Sequence, residues 1–413
     1  MRRATCERLL QFSSTVMGTR TIAACLLVAV PLILPVGARA QARLEFIPSL
    51  SLFTVSDDNI FARVEGSAGR ILQVRPSFEG SYESPTVRLL GLYSFDMQHS
   101  NFSSLNTLDA RRHALGETRL RTSPFTTLGI TLRYDRSETP GEIDVDSGVL
   151  GERRQAERLE VTPSVSRRLR PGVTLTAGYA LTTENLVDGD RGTLHTGRTS
   201  LARTVSTRTT LSGSYVSRYF VDHIANHSSH AALFGWERAL RPGTRVTLSA
   251  GPRITSYRGL TPDVTAAFAR ATPRVRLALD YAHGETIVLG IQGPVRIDSV
   301  TSRVTWPATR RIELGTRAGV SDVSTLDSRT STIYRGTLVG SWNPGGLYTI
   351  DASYGLDFQQ GSIRRLLLLD DGSGLLEDRV LRHVLRVGVT IAPRYGRSIL
   401  PPDEAARAKG ALR

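Results

Sequence analysis

The chain has 413 residues, of which 40% are hydrophobic and 22% are charged, and it contains 37 glycines. This composition excludes a largely disordered chain. Arginine supplies nearly all of the positive charge, since Lys409 is the only lysine, and the formal net charge is +14. The arginines are spread along the whole chain without a clustered basic segment, which argues against nucleic acid as a partner.

Residues 1–40 are predicted to be a secretory signal peptide. The apolar run within them, residues 22–36, is broken by two prolines and is too short for a membrane-spanning helix. Four arginines precede the run and an Ala-Arg-Ala motif follows it, so cleavage is expected before Gln41. A start at Met17 would give a leader of more typical length, so an alternative hypothesis is that translation begins at Met17 and that residues 1–16 are not part of the protein.

Both cysteines, Cys6 and Cys25, lie within this predicted leader. Beyond residue 40 the sequence therefore excludes a disulfide scaffold, a Cys-ligated zinc or iron–sulfur site and a cysteine nucleophile. No apolar run beyond residue 40 reaches the ~18 residues expected of a membrane-spanning helix.

From residue 44 onward the dominant hydrophobic pattern has a period of two. In 347–359, for example, apolar and polar side chains alternate at almost every position, which predicts a strand with one apolar and one polar face. Eighteen such segments are predicted, with sixteen strands as the alternative because two segments are less regular. The predicted strands are 44–55, 70–80, 86–98, 109–121, 125–136, 152–167, 172–184, 193–205, 208–221, 226–239, 244–256, 262–271, 274–284, 295–307, 310–322, 330–342, 347–359 and 378–392.

The lengths of these segments and of the gaps between them favour a membrane barrel. Soluble domains usually have strands of ~5–6 residues, whereas membrane-crossing strands need ~9–11, and nearly all of the predicted segments are longer than that. Long gaps with a mean of about 10 residues alternate with short gaps of about 3, which is typical of outer-membrane barrels. The sequence thus predicts an all-β fold, a transmembrane antiparallel barrel over 41–393, followed by a flexible periplasmic tail at 394–413.

In such a barrel the polar face of each strand lines the interior. The polar faces carry nine arginines and seven carboxylates, which leaves two interpretations open: opposite charges that pair across strands in a solvated lumen, or a pore that weakly favours anions. The residues predicted to line the pore are Arg88, Asp96, Arg133, Asp135, Arg158, Glu160, Arg276, Asp280, Arg317, Asp351, Asp357 and Arg386.

Aromatic side chains near strand ends are expected to form belts at the two lipid–water interfaces. With only 7% aromatic residues, the predicted belts are thin. The candidates are Trp236, Trp306, Trp342, Tyr219, Phe220, Tyr348 and Phe358.

The sequence predicts no catalytic site, no metal site and no cofactor. The segment 226–230 brings His, Ser and Asn together, but these are sequence neighbours at a loop edge and are better interpreted as a polar rim. The acidic pairs Asp144/Asp146 and Asp188/Asp190 lack the full oxygen-ligand set of a calcium loop. An enzyme within a barrel and a soluble periplasmic β-protein are the minor alternatives.

Residues 44–61, LEFIPSLSLFTVSDDNIF, resemble the opening of the outer-membrane β-barrel porin type 2 family. The loop motif of that family is matched by 56–61, and 74–78 resembles its second strand. The resemblance implies an outer-membrane barrel of a Gram-negative bacterium, associated with exopolysaccharide and exosortase systems. One departure is that the chain continues to Arg413 instead of ending on an aromatic residue in the last strand.

The leading functional prediction is a porin-like channel for passive solute diffusion or for export of surface polysaccharide. Its expected partners are outer-membrane lipid and, for export, polysaccharide or export-system proteins. The alternative is a non-conducting structural or interaction barrel whose loops fill the mouth. The candidate plug is 360–377. Its apolar run, 366–369, either plugs the mouth or contacts a partner, or it simply extends a strand. The substrate and the oligomeric state stay open.

Overall fold

A computed structural model describes residues 43–63, 66–138, 149–150, 153–186, 191–222, 226–288, 291–326, 329–361 and 378–392. The predicted signal peptide, the predicted tail, the two acidic pairs and nearly all of the candidate plug lie outside the described residues. Within the described ranges, no helix is long and apolar enough to cross a membrane.

The described chain is built almost entirely of β-strands, and the prediction of eighteen is confirmed. A 3₁₀ turn at Ser103–Leu105 interrupts one of the connections. The strands are β1 (Arg43–Asp57), β2 (Gly69–Glu83), β3 (Val87–Ser100), β4 (Thr107–Ser123), β5 (Thr126–Ser137), β6 (Ala156–Arg170), β7 (Val173–Leu186), β8 (Arg191–Ser206), β9 (Thr209–Asp222), β10 (Asn226–Arg241), β11 (Thr244–Thr255), β12 (Gly259–Ala271), β13 (Arg276–Val288), β14 (Ile291–Pro307), β15 (Ile312–Ser324), β16 (Thr330–Trp342), β17 (Tyr348–Gly361) and β18 (Asp378–Ile391).

Each strand pairs antiparallel with its neighbours in sequence, and β1 pairs with both β2 and β18, so the sheet closes into a barrel. When paired residues are followed from strand to strand once around the sheet, the path returns to β1 at a residue about 22 positions from the one where it started. This offset is the shear of the barrel. With standard strand spacings, this shear tilts the strands by about 40° and gives a backbone diameter of about 35 Å.

The two rims of the barrel are built differently. One rim, here called the turn rim, carries only short connections, such as 171–172 and 242–243. Gly243 has a φ of 73° there, and a Cβ at this position would clash with the carbonyl oxygen of Ala271, so the Pro-Gly turn needs glycine. The opposite rim, the loop rim, carries the three longest connections, at 58–68, 138–155 and 362–377.

Several loop-rim connections are shorter than the sequence predicts. The prediction ends β7 at residue 184 and starts β14 at 295, whereas the strands run to Leu186 and begin at Ile291. The extra residues pair with the neighbouring strands, as Val288 does with Ile291. Polar residues near the rim weaken the period-two pattern, so sequence alone stops these strands early.

Side chains alternate between the two faces of the barrel wall. On β1, Leu44, Phe46 and Leu52 are exposed on the outside, whereas Ser51 and Asp57 are buried on the inside. The same order continues around the sheet, so the barrel has an apolar exterior and a polar interior. An exterior of this kind is stable in lipid, where the closed sheet leaves no backbone edge unpaired.

Polar side chains mark both edges of the apolar exterior. His195 and Arg203 on β8 face outward eight residues apart, and His230 and Arg238 on β10 repeat the spacing. At about 3.3 Å per residue and a tilt of about 40°, this spacing encloses an apolar band about 20 Å high. Through the strand register, five outward histidines lie at about one height near the loop rim: His99, His195, His230, His283 and His383.

Candidate functional site

The candidate functional site is the interior of the barrel. By strand alternation, the structure places all twelve of the predicted pore-lining residues on the inner face. Their role in conduction stays a prediction. Sequence reasoning missed further inward charges of both signs, among them Arg75, Arg111 and Arg253, and Glu79, Glu184 and Asp263.

The first interior cluster joins β18 to β4. Arg75 donates from Nε and Nη2 to the carboxylate of Asp96 at 2.5 and 2.6 Å, and Arg111 lies 3.6 Å from the same carboxylate. Arg386 stacks on the ring of Phe53, with its guanidinium carbon 3.6 Å from the ring centroid. Arg386 also interacts with Asp351, so three guanidinium groups face two carboxylates and the cluster is net positive.

A second group lies on β4 and β5. Asp135 binds His113 Nδ1 at 2.5 Å through one oxygen and accepts from Arg133 Nε at 2.5 Å through the other. Farther round, Arg158 Nε lies 3.3 Å from Glu184 Oε1 on β7. These contacts support the interpretation in which opposite charges pair across strands.

A third cluster fills the interior near the loop rim between β9 and β13. Arg253 is almost completely buried, donates to Asp263 and lies 3.6 Å from Glu285 Oε1. Arg218 lies 3.7 Å from Asp263, so two arginines share two carboxylates. Tyr257, in the connection between β11 and β12, donates to Glu285 Oε1 at 2.5 Å, and burial followed by that carboxylate raises the pKa of the phenol.

The motif behind the family resemblance closes the barrel. Asp57 accepts three hydrogen bonds from the guanidinium of Arg382 on β18, at 2.6 to 3.2 Å. Asn59 donates to the carbonyl oxygens of Arg63 and Leu381, at 2.6 and 3.1 Å. Residues 57–59 therefore fasten the end of β1 to the last strand, which gives this motif a structural role.

The connection between β5 and β6 reaches the opposite wall at its described residues 149 and 150. It leaves β5 and returns to β6, yet its residue Val149 lies in one buried apolar cluster with Val288, Val323 and Ile333 on the opposite wall. Leu150 donates its N–H to Gln359 Oε1 of β17 at 2.6 Å. The described residues 149 and 150 of this connection, here called the lid, therefore pack against the wall opposite β5 and β6.

Two further contacts hold the lid region together. Arg153 donates to Gln98 Oε1 at 3.3 Å and to Glu138 Oε2 at 3.2 Å, and burial lowers the pKa of its guanidinium. On the far side, the N–H of Gly293 donates to Asp222 Oδ2 at 3.2 Å, which draws β14 toward β9. The loop-rim mouth is consequently narrower than the barrel wall alone would make it.

The turn rim is strongly basic. Most carboxylates of the described residues lie nearer the loop rim, whereas sixteen arginines gather at or just inside the turn rim. Two of these make ion pairs, Arg245 with Glu237 and Arg276 with Glu313, both at 3.4 Å. The set, here called the collar, is Arg88, Arg119, Arg121, Arg167, Arg168, Arg170, Arg203, Arg208, Arg238, Arg241, Arg245, Arg270, Arg274, Arg276, Arg310 and Arg311.

The aromatic belts differ from the prediction at one position. Phe220 was expected at a lipid interface, but it faces inward and is 2% exposed, while its neighbour Tyr219 faces outward. The sequence does not show which of two adjacent aromatic residues faces the lipid. The pairing of β9 with β10 determines which one does. The outer belt near the loop rim also contains Tyr–His pairs, such as Tyr215 Oη with His230 Nδ1 at 2.9 Å.

Solved outer-membrane barrels are similar to the chain at low sequence identity and with TM-scores below 0.5. OpdQ of Pseudomonas aeruginosa is 12% identical over 84% of this chain and 99% of its own, with a TM-score of 0.46. OccK7 (OpdD) of the same organism is 13% identical over 86% of this chain and 99% of its own, also at 0.46. A BenF-like porin of Pseudomonas fluorescens is 11% identical over 84% of this chain and 99% of its own, at 0.45.

No protein-family model matches the chain, and no curated protein sequence matches it. The resemblance to the porin type 2 family is therefore not confirmed. The likeness to solved porins concerns the fold alone, so the decisive observations are the closed register, the apolar exterior band and the polar interior. The chain is an 18-stranded outer-membrane β-barrel.

Proposed function

We propose that the barrel is a diffusion channel of the outer membrane that favours small anionic solutes. The observation that carries the proposal is the inward cluster in which Arg75, Arg111 and Arg386 face only two carboxylates, Asp96 and Asp351. A positive cluster on the wall of a polar passage raises the local concentration of anions and disfavours cations.

A specific observation supports the alternative of a barrel that is closed at rest. The apolar cluster of Val149 with residues from β13 to β16 fastens the lid across the mouth. The candidate plug from the sequence prediction, 360–377, lies almost wholly outside the described residues, whereas the lid is another connection. Channel opening would then require the lid to leave the far wall.

A more specific proposal than a diffusion channel is the export of surface polysaccharide. It is supported by the basic turn rim, which would attract an acidic polymer, and by the absence of long connections from that rim among the described residues. A neutral polymer would gain nothing from the arginines, so this proposal is limited to acidic polymers.

Proteoliposome swelling tests the channel proposal with three solutes of one size and different charge: gluconate, glucose and glucosamine. We expect gluconate to enter faster than glucose, and glucose faster than glucosamine, because the arginine cluster around Asp96 is net positive. Faster entry of glucosamine would contradict the proposed selectivity. If no solute enters, a Val149→Asp barrel separates a closed lid from a barrel that does not conduct at all.

A further inference from the structure

The lipid-facing wall formed by β7 to β10 contains a depression near the loop rim. Gly197 of β8 pairs with Tyr179 of β7 on one side and with Ser217 of β9 on the other. Ser217 pairs in turn with His230 of β10. Paired residues point to the same face of a sheet, so two small residues lie side by side between large ones. The depression, here called the cup, has a floor of Gly197 and Ser217 and a rim of Tyr179, His195, Tyr215, Tyr219 and His230.

The geometry of β8 does not explain why residue 197 is a glycine. The position lies near the middle of the strand, both ladders pass through it without a bulge, and its φ is not positive. A Cβ built on Gly197 would meet no heavy atom within 4 Å, so no neighbour excludes a larger side chain. Glycine weakens the interior of a strand, and one of the reasons for its presence is the close approach of a ligand.

Two tyrosine–histidine pairs on the rim present hydrogen-bond donors at the outer surface. Tyr179 Oη lies 2.6 Å from His195 Nδ1, and Tyr215 Oη lies 2.9 Å from His230 Nδ1. In each pair the phenol O–H is the donor that a neutral imidazole nitrogen can accept, which places the ring proton on Nε2. Each imidazole then offers its Nε2–H to an acceptor on a ligand.

The cup differs from the neighbourhood of two other outward histidines in the absence of carboxylates beside it. His283 Nδ1 is bonded to Asp298, and His383 Nε2 lies 3.9 Å from Asp58. On β7 to β10, by contrast, no carboxylate belongs to the outer face of the described strands. The carboxylates of these four strands face inward: Glu184, Asp222 and Glu237. An anionic ligand therefore meets donors at the cup without an acidic neighbour.

The depth of the cup indicates which part of a lipid it faces. His195 and His230 mark the loop-rim edge of the apolar band, and Gly197 lies two residues deeper on β8. At about 3.3 Å per residue and a tilt of about 40°, the floor is about 5 Å below that edge. The boundary between headgroups and acyl chains lies at this level, where tyrosine side chains are also enriched. An acyl chain alone would leave the donors of the rim without acceptors, whereas a lipid phosphate supplies them.

We infer that the cup binds the phosphate of one membrane lipid, with the tyrosines and histidines of the rim as donors and the adjoining ester region over Gly197 and Ser217. The site lies on the outer wall, so the inference goes beyond the proposed channel and does not depend on it. Binding at the cup rests on hydrogen bonds and on shape, since the described rim carries no arginine or lysine.

The chain offers a matched control for the binding test. Gly213 lies on the outer face of β9, and a Cβ built there would also meet no heavy atom within 4 Å. Its partners across the two ladders are Leu201 and Phe234, so Gly213 lies among apolar side chains. Leucine at either glycine adds the same side chain to the lipid-facing wall, but only Gly197→Leu fills the cup.

The experiment measures lipid binding to the barrel in detergent by native mass spectrometry. The probe is dioleoyl phosphatidic acid, and dioleoylglycerol is the matched lipid without the phosphate. We expect wild type to retain phosphatidic acid in preference to dioleoylglycerol. Gly197→Leu and, separately, His195→Leu/His230→Leu should lose about tenfold in affinity for phosphatidic acid, the scale of one hydrogen bond to a charged group, while Gly213→Leu stays within about twofold of wild type. Heat-modifiable migration on a gel shows that each variant is folded.

Three results would overturn the inference: equal retention of the two lipids by wild type, undiminished binding to Gly197→Leu, or an equal loss in Gly213→Leu. A barrel dimer without bound lipid that Gly197→Leu dissociates would instead assign the cup to a second copy of the chain. Inorganic phosphate that competes at the affinity of phosphatidic acid would show a site for free phosphate and contradict the lipid. Because binding is measured without conduction, failure of the channel proposal leaves the result unaffected.

Discussion

At the residue scale, buried ion pairs decide how the barrel is closed. Arg382 and Asp57 make three hydrogen bonds in a region from which water is largely excluded. A buried pair contributes little when compared with apolar replacements, but a lone buried charge is strongly destabilising. The strand closure therefore depends on both partners together, and this dependence can be measured.

We expect Asp57→Asn to lower the free energy of unfolding by about 3–5 kcal/mol, because it leaves the Arg382 guanidinium without its counter-charge. Adding Arg382→Gln removes that charge, so the double variant should be less destabilised than the sum of the single variants. Urea unfolding in detergent micelles, followed by tryptophan fluorescence, measures the free energy of unfolding of the single and double variants. Strict additivity would show that the two side chains do not act as a pair.

Part of the network of buried ion pairs could be predicted from the sequence. The motif containing Asp57 and Asn59 is visible, but its partner on β18 lies more than 300 positions away, and only the closed register joins them. Arg253 was missed for a similar reason. It lies in a segment correctly predicted as a strand, but its neighbour is proline, and the carboxylates that hold it come from β12 and β13.

Tyr257 gives a second prediction at this scale. Burial and the contact with Glu285 raise its pKa above the ordinary value of 10.0, so this phenol stays protonated when exposed tyrosines ionise. A raised pKa in the folded state stabilises the fold below pH 10, and that contribution is lost as the pH rises through the folded pKa. In an alkaline titration at 295 nm, Tyr257→Phe should leave the amplitude near pH 10 unchanged. A loss of one tyrosine's amplitude there would contradict the assignment.

At the element scale, each strand is asymmetric, with one face for lipid and one for the interior. Leu338 and Thr337 are neighbours near the middle of β16 and face opposite ways; Leu338 is 58% exposed on the outside. This alternation was predictable because period two is a local property. Which residues face inward near the strand ends was not predictable, as the inward-facing Phe220 shows.

The strand asymmetry predicts different costs for one substitution at neighbouring positions. Leu338→Arg should destabilise the barrel by about 2–4 kcal/mol, since it places a charge near the middle of the lipid-facing band. Thr337→Arg places the same charge on the polar inner face opposite Arg317 and should cost less, about 0.2–1 kcal/mol. Urea titration of the refolded barrel in lipid vesicles compares the two, and equal effects would argue against the proposed lipid-facing surface.

The lid is the element that sequence analysis did not identify. Val149 is an ordinary valine within a connection of mixed composition, and nothing local marks it as a contact with the opposite wall. We expect Val149→Asp to release the lid, because a buried carboxylate in an apolar cluster is strongly unfavourable.

The lid variant should raise the mean channel conductance, and the smaller change Val149→Ala should raise it less. Single-channel recordings of the three proteins in the same bilayer give the comparison. Identical conductances would mean that the lid does not limit the passage of ions.

At the scale of the whole molecule, charge is divided between the two rims. The collar concentrates arginine at the turn rim, while the carboxylates gather with paired arginines toward the loop rim. Composition revealed the basic balance of the chain but not where the arginines lie. They are spread along the sequence, yet they occur at seven of the eight turns that join an even-numbered strand to an odd-numbered one. Only the up-and-down order of the strands gathers them at one end.

The central claim is that the interior is a passage in which the arginine cluster around Asp96 favours anions. The most direct test is the single-channel reversal potential of the refolded protein in a planar bilayer under a salt gradient, with Val149→Asp recorded alongside. We predict stable conductance steps and a reversal potential of the sign expected for anion selectivity, weakened in the Arg75→Gln/Arg111→Gln/Arg386→Gln barrel. Cation selectivity, or the absence of steps from both the wild type and the lid variant, would contradict the account.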